Sequence, residues 1–171
     1  TQFDPEGFNP VARQAVYWTR EQMEERDRRV GATQGRLFDR LDEFHRIHKV
    51  GDYLFVHGSP REPTNEYVFP EDVYSQRKMD ALFDRIDRYC FQGHTHIPGA
   101  FTASGEFIAA DECDYQFPLA GEKTMVNVGS VGQPRDGGPR ACYVIIHEGG
   151  DAKVEFGRVD YSSDVTAQKI H

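Results

Sequence analysis

Apolar positions along the chain recur first with the period of a helix and later with that of a strand, and the change divides the sequence. Val11, Ala15, Trp18, Thr19 and Met23 repeat every three or four residues behind Asn9-Pro10, an N-cap residue followed by proline at the first helical position. They predict a helix from Pro10 to Arg28 that ends at Gly31, with Arg26, Arg28 and Arg29 suiting the negative end of its dipole. Leu37, Phe38, Leu41 and Phe44 form a second helical stripe after Thr33, with His45 and His48 on its surface near the end. Gly51-Asp52 breaks that pattern, and Tyr53 to Val56 is a short continuous apolar run of the buried-strand kind. A third helix opens at Phe69-Pro70-Glu71-Asp72 with Met79, Leu82, Phe83 and Ile86 on one face, and Tyr89 to Gln92 follows as a strand.

Beyond Pro98 the segments shorten. Ala100 to Thr102 and Glu106 to Ala109 read as strands around a turn at Ser104-Gly105, followed by a polar loop that holds Asp111, Glu112 and Asp114. Met125 to Val128 leads into a glycine-rich segment from Gly129 to Gly138, and Ala141 to Ile146 and Lys153 to Val159 form a hairpin through Gly149-Gly150-Asp151. The pattern predicts one α/β domain over residues 1–171, running into a β meander without internal repeats.

The composition narrows the partners. The 171 residues carry a net charge of −8, so nucleic-acid binding by charge alone is not expected, and phosphate chemistry needs a local cation. The longest apolar run, Ala141 to Ile146, is far short of the roughly 20 residues that span a bilayer. Cys90, Cys113 and Cys142 form no Cys-x-x-Cys pair and read as reduced residues of a cytoplasmic protein.

The chemistry concentrates where strands end. His57-Gly58 follows one apolar strand and Gly93-His94-Thr95-His96 the next, and open α/β sheets place ligands at strand carboxyl ends. In an extended chain residues i and i+2 face one side, so His94 and His96 can project into one cleft about 6 to 7 Å apart, a spacing that suits two adjacent metal ions. Neutral imidazoles bring no bridging carboxylate; Asp52, Asp111, Glu112, Asp114 and Asp136 are the candidate donors. The Gly129 to Gly138 segment can offer backbone N–H groups to a phosphate with Arg135 as a bidentate partner. Ser59 and Ser130 lack a nucleophile-elbow context. The stretch Asn65 to Phe69 after His57 reads as loop packing, with shaping of the cleft as the alternative.

Three segments in this order, Val56-His57-Gly58-Ser59-Pro60, Gly93-His94-Thr95-His96 and Asn127-Val128-Gly129-Ser130-Val131-Gly132-Gln133-Pro134-Arg135, resemble the calcineurin-like metallophosphoesterases, in the bacterial and archaeal branch of small phosphodiesterases and phosphatases. The resemblance implies the C-terminal part of an αββα sandwich, with a mixed sheet and a C-terminal β hairpin. It implies two divalent metal ions, Mn, Fe or Zn, and a metal-bound hydroxide that attacks phosphorus in line. His57 and His94 would ligate one metal, His96 the other, and Arg135 would lie near the substrate. The family's Asp-x-His, Gly-Asp and Gly-Asn-His-Asp motifs, which bring further ligands and the general acid, are not found ahead of the first helix. The expectation is therefore the C-terminal half of a longer hydrolase, inactive alone, completed by an N-terminal half or a second copy and acting on a small phosphorylated substrate or nucleotide. The competing expectation is a non-catalytic binding or scaffold module that keeps the fold.

Overall fold

A computed structural model of the chain describes residues 5–30, 37–119, 121–165 and 168; Gly31 and Thr33, which the sequence reading used, lie outside the described residues. The chain divides into two compact units, Thr1–His45 and Arg46–His171. In the first unit, helix α1 spans Pro10–Val30, and Asn9 caps it by accepting the Ala12 N–H on Oδ1 at 2.9 Å. Helix α2 covers only Leu37–Asp42. Phe44 and His45 therefore fall outside the helix that their spacing suggested.

The second unit begins with a strand the sequence reading missed. Strand β1 (Ile47–Val50) turns at Gly51, with φ +54°, and pairs antiparallel with β2 (Tyr53–Val56). His48 thus stands in a strand opposite Phe55, not on a helix surface. Helical periodicity carried across Phe44 to His48 because a four-residue strand is too short to declare its own period.

Strands β3 (Tyr89–Gln92), β4 (Gly99–Thr102) and β5 (Phe107–Ala109) follow, then β6 (Gln116–Pro118) and β7 (Thr124–Asn127). The hairpin consists of β8 (Ala141–His147) and β9 (Lys153–Val159). Six strands form one mixed sheet in the order β1-β2-β3-β7-β4-β5, and β6-β9-β8 form a second. Strand β6 was also missed, within the stretch read as a polar loop. The third helix begins as a 3-10 turn at Pro70–Tyr74 and continues as α3 (Gln76–Phe83). Lys123 donates to the Phe83 carbonyl at 3.0 Å and so satisfies the helix C-terminus.

The register explains the layers. Leu54, Cys90, Met125, Phe101 and Phe107 are cross-strand neighbours in one row, and they pack with Met79, Leu82 and Phe83 of α3 and with Val68 and Ile86. The next row, Phe55, Phe91, Val126, Ala100 and Ile108, packs against Phe117, Cys142, Val154 and Phe156 of the smaller sheet. Side chains alternate faces along a strand, so the large sheet is apolar on both sides and its inner strands read as continuous apolar runs. This is the mixed-sheet α/β architecture with a C-terminal hairpin that the resemblance implies.

Phe101 is fully buried and its ring lies 4.7 Å from that of Phe107. Phe101→Ala is expected to cost about 3–5 kcal/mol in urea unfolding. Tyr74→Ala, at a residue that is 89% exposed, should stay within about 0.5 kcal/mol.

Candidate metal centre

Parallel pairing of β2, β3 and β7 brings three strand ends side by side. The ladder continues past the strands, since Gly93 N donates to His57 O at 3.0 Å and Val128 N to Gln92 O at 2.9 Å. His57, the Gly93 to His96 turn and the Gly129 to Gly138 loop thus leave the sheet from the carboxyl ends of neighbouring strands. Asn127 joins the last two: its Nδ2 donates to Gly93 O at 2.7 Å and to Thr95 Oγ1 at 2.6 Å, and its Oδ1 accepts from Gly129 N at 3.0 Å. Asn127 and Thr95 are both 1% exposed, so these bonds form away from water.

The turn does not follow the extended path assumed from sequence. His94 and His96 adopt φ +65° and +64°, the left-handed region in which histidine is uncommon though enriched. Their imidazoles consequently meet different partners. His57 Nε2 and His94 Nδ1 stand 2.9 Å apart, so one donates and the other accepts. That separation matches the roughly 3 Å expected between adjacent nitrogen ligands on an octahedral cation at about 2.1 Å. His96 turns toward the glycine-rich loop, where its Nδ1 lies 2.8 Å from the Gln133 carbonyl. A carbonyl only accepts, so Nδ1 carries the proton, which in the neutral ring leaves the lone pair on Nε2.

Burial pushes the His57 pKa below its ordinary value, and the neighbouring His94 and His96 rings add to that shift. The shift favours the neutral form, the one that donates to a metal. Behind it the loop folds back tightly. His57 N and Gly58 N both donate to Pro63 O, at 3.1 and 2.7 Å, and a Cβ on Gly58 would meet Glu62 O at 2.8 Å. The Ser59 hydroxyl donates to Glu66, whose carboxylate also pairs with Arg61. Burial would raise the Glu66 pKa, but the hydrogen bonds from Arg61 and Ser59 outweigh it and hold the carboxyl low.

Arg135 lies on the loop beside His96: its N–H donates to His96 O at 3.2 Å and its Nη2 to Gln133 Oε1 at 3.0 Å. The next residue, Asp136, pairs at 2.6 Å with Arg158 of β9. Ser130 Oγ accepts from Gln133 N at 2.9 Å. None of the carboxylates considered as bridging ligands is seen joining the histidines. Asp52 pairs with Arg88 at 3.6 Å, at the other end of β2, and Glu112 accepts the Ala109 N–H at 2.8 Å. Asp114 donates its N–H to Asp111 O in a local turn. Among the described residues no three His, Cys, Asp or Glu side chains gather tightly enough to hold one ion. The arrangement is thus a close His57–His94 pair and a separate His96 held by the glycine-rich loop. The cysteines take no part: all three are free, and burial pushes the Cys90 thiol up to about 12.

The site residues given too little weight were Asn127, whose amide ties the loops, and Tyr67, whose ring stacks on His94 at 3.8 Å. The buried polar residue at the end of an apolar strand was the signal for the first. The second left none beyond its place in the loop after His57.

No protein-family model matches the chain. An uncharacterized protein of Methanocaldococcus jannaschii is 36% identical over 118 residues, which make up 68% of this chain and 44% of that protein. The crystal structure of a metallophosphoesterase from Sphaerobacter thermophilus aligns over 99% of this chain and 65% of its own, with 31% identity and a TM-score of 0.70. A hypothetical protein from Pyrococcus horikoshii OT3 aligns over 77% of this chain and 47% of its own, at 18% identity and a TM-score of 0.51, a likeness of fold. The chain spans less than two thirds of the length of each. Among the described residues, no helix is long and apolar enough to cross a membrane.

Because the His57 pKa is depressed in the folded chain, its contribution to stability is complete above the unfolded value of 6.5 and is lost as pH falls through the native value. NMR titration should place the His57 midpoint below 6.5 and show it rising toward 6.5 in His94→Ala. A wild-type midpoint at or above 6.5 refutes this electrostatic account.

Proposed function

Starting from a chain with the metallophosphoesterase fold, we propose that it supplies part of the centre of a metal-dependent phosphoesterase. The observation that carries this reading is the 2.9 Å approach of His57 Nε2 to His94 Nδ1 at the ends of two parallel strands. In this reading His57 and His94 hold one divalent cation and His96 serves a second through Nε2. Divalent cations held there supply neutralisation of phosphoryl charge and acidification of water. An acidic chain with net charge −8 then needs no broad basic pocket.

The chain's own residues have definable tasks. His57 and His94 place Nε2 and Nδ1 side by side, and the proton they share would leave that contact for both to ligate. The Gln133 carbonyl fixes the His96 tautomer, an outer-shell role that orients a ligand. Arg135 sits on the same loop and offers a planar guanidinium to a phosphoryl oxygen. Carboxylate donors and a general acid complete the centre from residues outside this set; Asp-x-His and Gly-Asn-His-Asp are the motifs of that kind. The substrate in this reading is a phosphomonoester, phosphodiester or dinucleoside polyphosphate.

The short donor set favours one other reading, a non-catalytic module that keeps the fold and binds a cation weakly or not at all. Hydrolysis of p-nitrophenyl phosphate and bis(p-nitrophenyl) phosphate by the intact protein, with Mn²⁺ or Zn²⁺ added, separates the two. For the enzyme, His94→Ala should weaken cation binding by more than the roughly 10- to 100-fold typical of losing an outer-shell partner, and turnover should fall with it. Metal binding without hydrolysis of either ester, or hydrolysis untouched by His94→Ala, sinks the catalytic assignment.

A further inference from the structure

We propose that Tyr67 is a positioning residue, whose ring holds the His94 imidazole in the plane in which Nδ1 reaches His57. The proposal rests on the metal-centre reading for its purpose, and on the stacking geometry for its substance. The Tyr67 and His94 rings are stacked with centroids 3.8 Å apart and planes 23° from parallel. At that separation the faces are in contact, so rotation of the imidazole about its last torsion drives an edge into the phenol ring. The torsion of a histidine ring is otherwise broad, and a quarter turn would swing Nδ1 out of the plane in which it meets His57. The His57 ring meets His94 from another side, edge-on at 64° with centroids 4.7 Å apart, and does not block that rotation by stacking.

A wedge works only if it is itself held, and Tyr67 is held on both sides. Glu66 before it is fastened by Ser59 and Arg61. Val68 after it is 2% exposed in the core beneath α3. The Tyr67 carbonyl accepts from Lys78 Nζ at 2.9 Å, and that ammonium also pairs with Asp72. Phe69 stacks on the Tyr67 ring, with planes 7° from parallel and centroids 5.5 Å apart. Tyr67 nonetheless remains 42% exposed, an unusual outlay of anchoring for a surface aromatic unless the position of its ring matters. The held feature is the ring face, so phenylalanine should substitute for tyrosine and alanine should not.

The test compares wild type, Tyr67→Phe and Tyr67→Ala in the full chain, first without metal and then with Co²⁺ alone. In metal-free protein, the His94 ring protons should be shifted upfield by the Tyr67 ring current and the side chain should be rigid on the NMR timescale. Both properties should persist in Tyr67→Phe and disappear in Tyr67→Ala, while the thermal midpoint moves little. Co²⁺ titrations, followed by visible absorption, should then show affinity about tenfold or more weaker for Tyr67→Ala and within about twofold of wild type for Tyr67→Phe. A rigid, unshifted His94 in Tyr67→Ala overturns the proposal whether or not cobalt binds. So does a Tyr67→Phe variant that loses as much as Tyr67→Ala, since the hydroxyl and not the ring would then be responsible. If wild type takes up no Co²⁺ while His94 still loosens in Tyr67→Ala, the positioning role stands and the metal-centre reading falls.

Discussion

The parallel pairing of β2, β3 and β7 is the constraint on which the site depends. Parallel ladders hold adjacent strands in evenly spaced register, and here two of the ladder bonds extend one residue past the strands, into His57 and Val128. The loops therefore begin at fixed points at the carboxyl ends of neighbouring strands. Without that alignment, the 2.9 Å approach of two histidines 37 positions apart in sequence would have no structural cause. The alignment is in turn held by the two-sided burial of the large sheet, which gives any register slip a cost on both faces at once.

Asn127 converts that alignment into a defined site. A buried amide with three good partners fixes its neighbours more narrowly than apolar contact, because each bond carries a direction and each loss leaves an unsatisfied group. Its three bonds reach the Gly93 carbonyl, the Thr95 hydroxyl and the Gly129 N–H, binding the two loops that carry His94, His96 and Arg135. The glycine at 129 is required by this closure. Its φ is +77°, and a Cβ there would lie 2.7 Å from Cys142 Cβ, so the loop passes against the smaller sheet where no side chain fits.

The sequence made the fold class and the three histidines legible for different reasons. Strands β2 and β3 announced themselves as short apolar runs, and the histidines stood out because His57 follows one run directly while His94 and His96 follow the other after Gln92-Gly93. Strand β1 was not legible: its residues are exposed throughout, so Ile47, His48, Lys49 and Val50 show no period, and the strand exists because β2 offers it an edge. The same holds for β6, where Gln116 and Pro118 flank a single buried Phe117. The Tyr67 stack and the Arg158–Asp136 pair join residues distant in sequence through tertiary geometry, to which local pattern is blind.

The extended path assumed for His94 and His96 is not the one the turn takes, and the reason bears on the site. Two left-handed residues flanking a buried threonine cost of order 1–3 kcal/mol each, a strain that an ordinary turn avoids by using glycine. Thr95 offsets it, with its side chain in the bond to Asn127 and its N–H donating to Gly93 O at 2.7 Å. With Thr95 pinned inward, the residues on either side are turned outward on divergent headings, one toward His57 and the other toward Gln133. An extended strand would have sent both imidazoles the same way. The strained turn separates them, one beside His57 and the other beside the Gln133 carbonyl.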